Sequence, residues 1–115
     1  MQDDRPIVCV DLDGVLNLYD GWKGADYFHP PRPGAHEFLQ RLVQSGYEIV
    51  IFTVRWAPHV EKWLSENGLA GYVSRVTDRK PPAHVYIDDR AVCFQGDFNA
   101  LLDQIPRFQA HWEIK

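Results

Sequence analysis

Asp11 and Asp13 stand either side of Leu12, at the end of the apolar run Val8-Cys9-Val10 and just before Gly14. In an extended chain, residues two apart point to the same side. The two carboxylates can therefore project together while Leu12 points toward a core, and Gly14 allows the sharp turn that ends the run. Two like charges held this close are unfavourable unless a cation, a hydrogen-bond donor or a proton offsets them. Asp and Gly are also ordinary turn residues, so the pair becomes a site only if other groups reach the same place.

Other groups are positioned to do so. Thr53 and Arg55 follow the β-rich run at residues 47–52, Asp88 and Asp89 follow a short run at 84–87, and Lys80 lies in the loop leading into it. Carboxylates from Asp11, Asp13, Asp88 and Asp89 at one rim call for a hard divalent cation, and an all-oxygen set favours Mg²⁺ over zinc. The chemistry suggested is phosphoryl transfer, in which such an ion neutralises charge and holds the phosphoryl group for in-line attack. Thr53 would donate its hydroxyl to a phosphoryl oxygen, Lys80 would bring a fixed positive charge, and Arg55 joins them as a substrate-binding candidate. One carboxylate can act as nucleophile, forming an aspartyl-phosphate. A second can protonate the leaving oxygen and later take a proton from water.

Periodicity indicates the elements that must position these groups. The first apolar run reads as a strand buried on both faces of a parallel sheet. Residues 17–33 are irregular, broken by Asp20-Gly21, Lys23-Gly24 and Pro30-Pro31, and carry Tyr19, Trp22, Tyr27 and Phe28. Ala35, Phe38, Leu39, Leu42 and Val43 form one apolar helical stripe, with Gly46 placed to close it. A strand at 47–52 follows, then a helix with Pro58 in its first turn, Val60, Trp63 and Leu64 inward, and Asn67-Gly68 as its stop. A weaker strand is expected at 72–76 and a short one at 84–87. Phe98, Leu101, Leu102 and Ile105 predict a third helix, with Asp97 as its N-cap. After Pro106 the tail alternates strictly, Phe108, Ala110, Trp112 and Ile114 against Arg107, Gln109, His111 and Glu113, which predicts a half-exposed edge strand.

Strands alternating with amphipathic helices imply parallel strands joined by right-handed crossovers. The expected fold is a single doubly wound, Rossmann-like α/β domain with a mainly parallel sheet of about five strands. Ligands of such sheets bind beyond the carboxyl ends of the strands, where the polar residues collect here. The 115 residues, 45% hydrophobic with four tryptophans, suffice for one core. A net charge of −4 with mixed signs argues against a general nucleic-acid-binding surface. Two cysteines and five scattered histidines make neither a disulfide framework nor a zinc spacing. The N-terminal residues have no signal-peptide character and no apolar stretch could span a bilayer, so a cytoplasmic location and no membrane partner are expected.

Asp11-Leu12-Asp13-Gly14-Val15-Leu16, Thr53, Lys80 and Asp88-Asp89 resemble, in order and across nearly the whole chain, the four motifs of the haloacid dehalogenase superfamily of phosphohydrolases. The resemblance implies Asp11 as nucleophile, Asp13 as general acid/base, and Thr53 and Lys80 as phosphate binders. It implies Mg²⁺ held by Asp11, Asp88 and the Asp13 backbone carbonyl, with Asp89 supporting the metal directly or through water. Dehalogenating members lack the second aspartate of the first motif, so Asp13 points to phosphate esters. Neither residues 17–33 nor 68–80 have room for the cap domain of many members, and the chain resembles the small capless type. Such sites are open. Water exclusion would then come from the loop aromatics, a neighbouring subunit of a homo-oligomer or a large substrate.

The function expected is a Mg²⁺-dependent phosphomonoesterase acting on a nucleotide, a small phosphorylated metabolite or a phosphorylated polymer end, the one form in which nucleic acid enters. Six of the twelve basic residues (Lys23, Arg32, Arg55, Arg79, Lys80, Arg90) fall in loops at the site end, fitting a multiply phosphorylated ligand or merely the charge that loops collect. A non-catalytic, metal-dependent phosphate-binding module and a phosphotransferase are the alternatives. A response-regulator receiver would place Thr and Lys after its phospho-acceptor Asp, whereas Thr53 and Lys80 precede the Asp88-Asp89 pair. A nuclease would leave both without a role.

Overall fold

The computed structural model describes residues 4–114. Its framework is a four-stranded parallel sheet of β1 (Ile7–Asp11), β2 (Glu48–Phe52), β3 (Val73–Thr77) and β4 (Val85–Ile87), in the order β3-β2-β1-β4. Register aligns like with like: Val8 pairs with Ile49 and Val85, and Val10 with Ile51 and Ile87. Their side chains form one apolar face, which takes α1 (Ala35–Gln44) and α2 (Ala57–Glu66). Leu39 of α1 and Val60, Trp63 and Leu64 of α2 pack there with Val8, Val10, Ile49 and Ile51. Each fully buried aliphatic side chain in this cluster contributes about 1.5–3 kcal/mol. On α1 the expected stripe is graded: Leu39 is sealed, Leu42 and Val43 are half-buried, and Phe38 lies at the rim. Gly46, at φ +91°, closes the helix by returning its N–H to the Val43 carbonyl at 3.0 Å.

The second face is covered differently from expectation. β3 and β4 lie at opposite edges, so residues 78–84 must cross β2 and β1, and right-handedness sends them over the face away from α1 and α2. That crossing is an extended connection, too short for a helix. Pro81 is buried in it and accepts a 2.6 Å hydrogen bond from the Tyr86 hydroxyl, while the His84 N–H donates to the Ile7 carbonyl at 2.8 Å. Cys9 and Val50, which alternate onto this face, are fully buried.

The C-terminal third departs further. α3 (Phe98–Gln104) forms where predicted, and the Asp97 carboxylate caps it by accepting from the N–H groups of Asn99 and Ala100. Its apolar stripe, however, faces solvent: Phe98 is 75% exposed and Leu102 70%. Among the described residues the edge strand expected after Pro106 does not form, and the sheet has four strands where about five were expected. Residues Ile105–Arg107 and His111–Glu113 are single tight helical turns instead. Ala110 is buried, the His111 ring donates to the Gly14 carbonyl at 2.6 Å, and the Trp112 indole donates to Asp89. Neighbouring side chains that both reach inward in this way cannot belong to a strand, where they point to opposite faces. None of the helices among the described residues is long and apolar enough to cross a membrane.

Candidate functional site

β1 ends at Asp11, and the chain leaves the sheet in a wide turn over residues 12–16, with Leu12 and Leu16 sealed in the core and Gly14 at φ +86°. A methyl group on Gly14 would overlap the Asp89 carboxylate and approach Trp112 Nε1 at 2.9 Å, so glycine is required twice over. Asn17, fully buried, holds the turn together. Its Oδ1 accepts from the N–H groups of Gly14 and Tyr19, both at 3.1 Å, and its Nδ2 donates to Asp13 at 2.9 Å. Arg32 adds three bonds, to the carbonyls of Val15 (3.0 Å), Gly14 (3.3 Å) and Asn17 (3.3 Å). That basic residue is therefore a clamp on the backbone. Residues 17–33 return as a hairpin-like loop, paired at Asn17 and Pro31 and tied down by the Trp63 indole, which donates to the His29 carbonyl at 3.1 Å.

A cavity of about 450 Å³ opens at the carboxyl ends of β1, β2 and β4. Asp11, Asp13, Thr53, Arg55, Asp88 and Asp89 all line it, joined by Tyr19, Trp22, Arg90 and Trp112. Lys80 is not among its lining residues: its ammonium stands over the Tyr86 ring, 4.3 Å from the centroid.

One side of the cavity gathers Asp11, Asp88 and Asp89, each offering an oxygen within 4.8 Å of the others. This spacing and the all-oxygen donor set fit a hard divalent cation. Electrostatics give the same answer. Burial pushes the Asp11 carboxyl up to about 8, and its hydrogen bond to Asp89 and the charges of Asp88 and Asp89 add to the rise. Burial also pushes Asp89 up, but bonds from Asp11 and from the Trp112 indole outweigh it and take Asp89 below its ordinary value. A cation placed among these carboxylates would offset the same crowding of negative charge that raises Asp11. Among the described residues the group that could hold a metal contains three carboxylates. Asp13, expected beside them, is turned to other partners.

Those partners define the opposite side. Arg55 Nε donates to Asp13 Oδ2 at 2.7 Å, with the arginine side chain only 2% exposed. The guanidinium lies 4.2 Å from the Phe28 ring centroid and 4.9 Å from that of Trp22, and its Nη1 donates to the Ala25 carbonyl at 3.1 Å. Arg55 therefore ties the acid to the 17–33 loop. Thr53 is buried at the end of β2, its N–H bonded to the Thr77 carbonyl at 2.9 Å. Its Oγ1 accepts from the Arg55 N–H at 3.2 Å, which leaves the hydroxyl proton free to donate. Since α2 begins at Ala57, Thr53 is not its cap.

The tail forms the remaining wall, which sequence reasoning missed. Trp112 reaches Asp89 and meets Tyr19 edge-to-face at 4.9 Å. Arg90 folds back through its N–H onto Asp88 at 2.8 Å and pairs with Glu113 at 2.8 Å. Glu113 also accepts from the Ala110 N–H, and that bond, followed by Arg90, holds its carboxyl below the ordinary range. The adjacent polar pair His111 and Glu113 with Trp112 between them was the available signal, but nothing local to it names Gly14 or Asp89 as the target.

No protein-family model and no curated protein matches the chain. Among solved structures it is similar to a conserved protein from Bacteroides thetaiotaomicron, at 20% identity and a TM-score of 0.60, over 90% of this chain and 92% of that one. It is also similar to an uncharacterized protein from Listeria monocytogenes serotype 4b, at 16% identity and a TM-score of 0.50, over 88% of this chain and 61% of that one. At these identities the likeness is one of fold: a small α/β domain built on an open parallel sheet.

Proposed function

We propose that the chain is a phosphomonoesterase of the haloacid dehalogenase type, dependent on Mg²⁺, with Asp11 as nucleophile. The observation that carries this reading is the division of one cavity into a cation-sized carboxylate group and a separately held Asp13. Asp11, Asp88 and Asp89 would hold the metal, which when bound neutralises charge on the phosphate. Asp11 Oδ forms a bond to phosphorus as the bond from phosphorus to the leaving oxygen breaks. Asp13, once it has taken up a proton from solvent, gives it to that oxygen; it then takes a proton from the water that attacks phosphorus, so that the Asp11–phosphorus bond breaks and inorganic phosphate leaves. Arg55 and Asn17 keep Asp13 aimed, and the Thr53 hydroxyl donates to a phosphoryl oxygen. A large role for Lys80 in phosphate binding would require it to leave the Tyr86 ring.

The test is hydrolysis of an activated aryl phosphate, with and without Mg²⁺, by the wild type and by Asp11→Asn. Turnover should need the metal and fall by about 10³-fold or more in the variant, while circular dichroism stays unchanged. A folded wild type that binds Mg²⁺ and phosphate yet turns nothing over would instead identify a phosphate-binding module. Phosphate appearing on an added alcohol rather than in solution would identify a phosphotransferase.

A further inference from the structure

The carboxylates occupy only part of the cavity; Tyr19, Trp22 and Trp112 also line it, with Phe52 at the end of β2. Two of the four loop aromatics singled out in the sequence have work elsewhere. Phe28 supports the Arg55 guanidinium and stacks on Trp63, with centroids 6.4 Å apart. Tyr27 packs against His29 and lines a separate cavity with Asp26, His59 and Glu66. Trp22 is different: one part of its indole covers Arg55, yet it is 61% exposed and lines the site. Tyr19 and Trp112 meet edge-to-face in the same wall.

Trp22 and Tyr19 lie on the side of Asp13, and Trp112, which donates to Asp89, meets Tyr19 from the side of the carboxylate group. Trp22 covers the arginine that bonds Asp13, and the Tyr19 N–H shares the Asn17 side chain that also bonds Asp13. Burial raises the Tyr19 hydroxyl, and the charge of Asp13 comes next among the causes. In an in-line displacement the nucleophile and the leaving oxygen lie on opposite sides of phosphorus. The acid must reach the leaving oxygen. Whatever surrounds Asp13 therefore surrounds the leaving alcohol.

We infer that Tyr19, Trp22 and Trp112 form a leaving-group subsite for a flat aromatic ring, which makes nucleoside monophosphates the substrate class. This rests on the phosphomonoesterase reading for its chemistry: hydrolysis releases the nucleoside and inorganic phosphate. A base stacks on an aromatic side chain through a π-face that every base possesses, and a cavity of about 450 Å³ has room for phosphate, sugar and one ring. Arg32 is spent on backbone carbonyls, Lys80 lies outside the lining, and the two arginines that line the cavity pair with Asp13 and Glu113, so the described lining residues offer no cationic surplus to suit a polyphosphate.

The experiment compares kcat/KM for a nucleoside 5′-monophosphate with that for ribose 5-phosphate, which has the same ester and sugar without the ring. The nucleotide should be preferred by roughly tenfold or more, and Trp22→Ala should shrink that ratio toward one; Trp22 is exposed enough to be replaced without unfolding the chain. Equal constants for the two esters in the wild type would overturn the subsite. A 5′-phosphorylated oligonucleotide run alongside separates the sources of the ring. Preference for the free nucleotide assigns the subsite to monomers and preference for the oligonucleotide to a chain end, and either sustains it. Calorimetric titration of both small esters into Asp11→Asn, with Mg²⁺ present, measures the same preference without turnover. If acetyl phosphate and every ester prove inert, the esterase reading fails, and the subsite stands or falls on whether the nucleotide binds roughly tenfold tighter.

Discussion

The two sides of the cavity are built by unlike means. Asp13 is held by fully buried Asn17 and nearly buried Arg55, which lie in the segments that follow the central strands β1 and β2. Asp88 and Asp89 follow the short edge strand β4, Asp88 is exposed, and their support is a tail docked from the far end of the chain. The difference matches what the proposed reaction would ask of each side. A general acid has to point at one oxygen before the substrate arrives, and only rigid neighbours can give it that direction. Carboxylates that bind a cation can be looser, because the ion draws them into place as it binds.

The comparison predicts a ranking of effects. Removing the guanidinium by Arg55→Ala should be the most damaging change, costing about 3–5 kcal/mol of stability because a largely buried ion pair loses one partner. Chemical denaturation would register it, and a loss under about 1 kcal/mol would mean that Asp13 is not rigidly held. On the other side, the metal-free protein should become less stable as pH rises from about 4 to about 8. Asp11 has an ordinary value of 3.8 and a folded value of about 8, so across this window the folded state binds more protons than the unfolded one. Saturating Mg²⁺ should flatten that slope by replacing the proton, and thermal melts across the range would show it. Trp112→Phe keeps the ring but removes the donor to Asp89. It should weaken Mg²⁺ binding roughly tenfold while costing only about 1 kcal/mol of stability, so calorimetry should respond more than the melting temperature. Leu102→Gln, on the exposed face of α3, should change stability by no more than about 0.5 kcal/mol.

What the sequence revealed of this arrangement follows the range of the interactions involved. Asp11 and Asp13 were readable because their spacing is local, and Asp88-Asp89 because a strand end sits just before them. β1, β2, α1 and α2 were readable because their apolar periods match the faces they bury. The Arg55–Asp13 pair joins residues 42 apart, and no local pattern names a partner at that distance. The tail misled for a related reason. Strict alternation through Phe108, Ala110, Trp112 and Ile114 fits an edge strand, but tertiary bonds at His111 and Trp112 outweighed that propensity. The stripe on α3 predicted a helix, which forms, without revealing that its apolar face would stay in water. Lys80 was assigned by motif order, and order along the chain does not measure the reach of a side chain.

The hydrogen bond from His111 to the Gly14 carbonyl spans 97 positions. A ribosome makes the chain from its N-terminus, so residues 7–77, with β1 to β3, α1 and α2, emerge long before the contacts that complete the cavity. During that interval Asp11 has neither Asp88 nor Asp89 beside it, and the three-carboxylate group does not exist. A nascent chain can thus hold most of the main core before the carboxylate group on which the proposed reaction depends is assembled. Cleavage between Ala110 and His111 would leave Asp88 and Asp89 in place but remove the bonds to Gly14 and Asp89, so the core would stay intact while the carboxylate group lost its support.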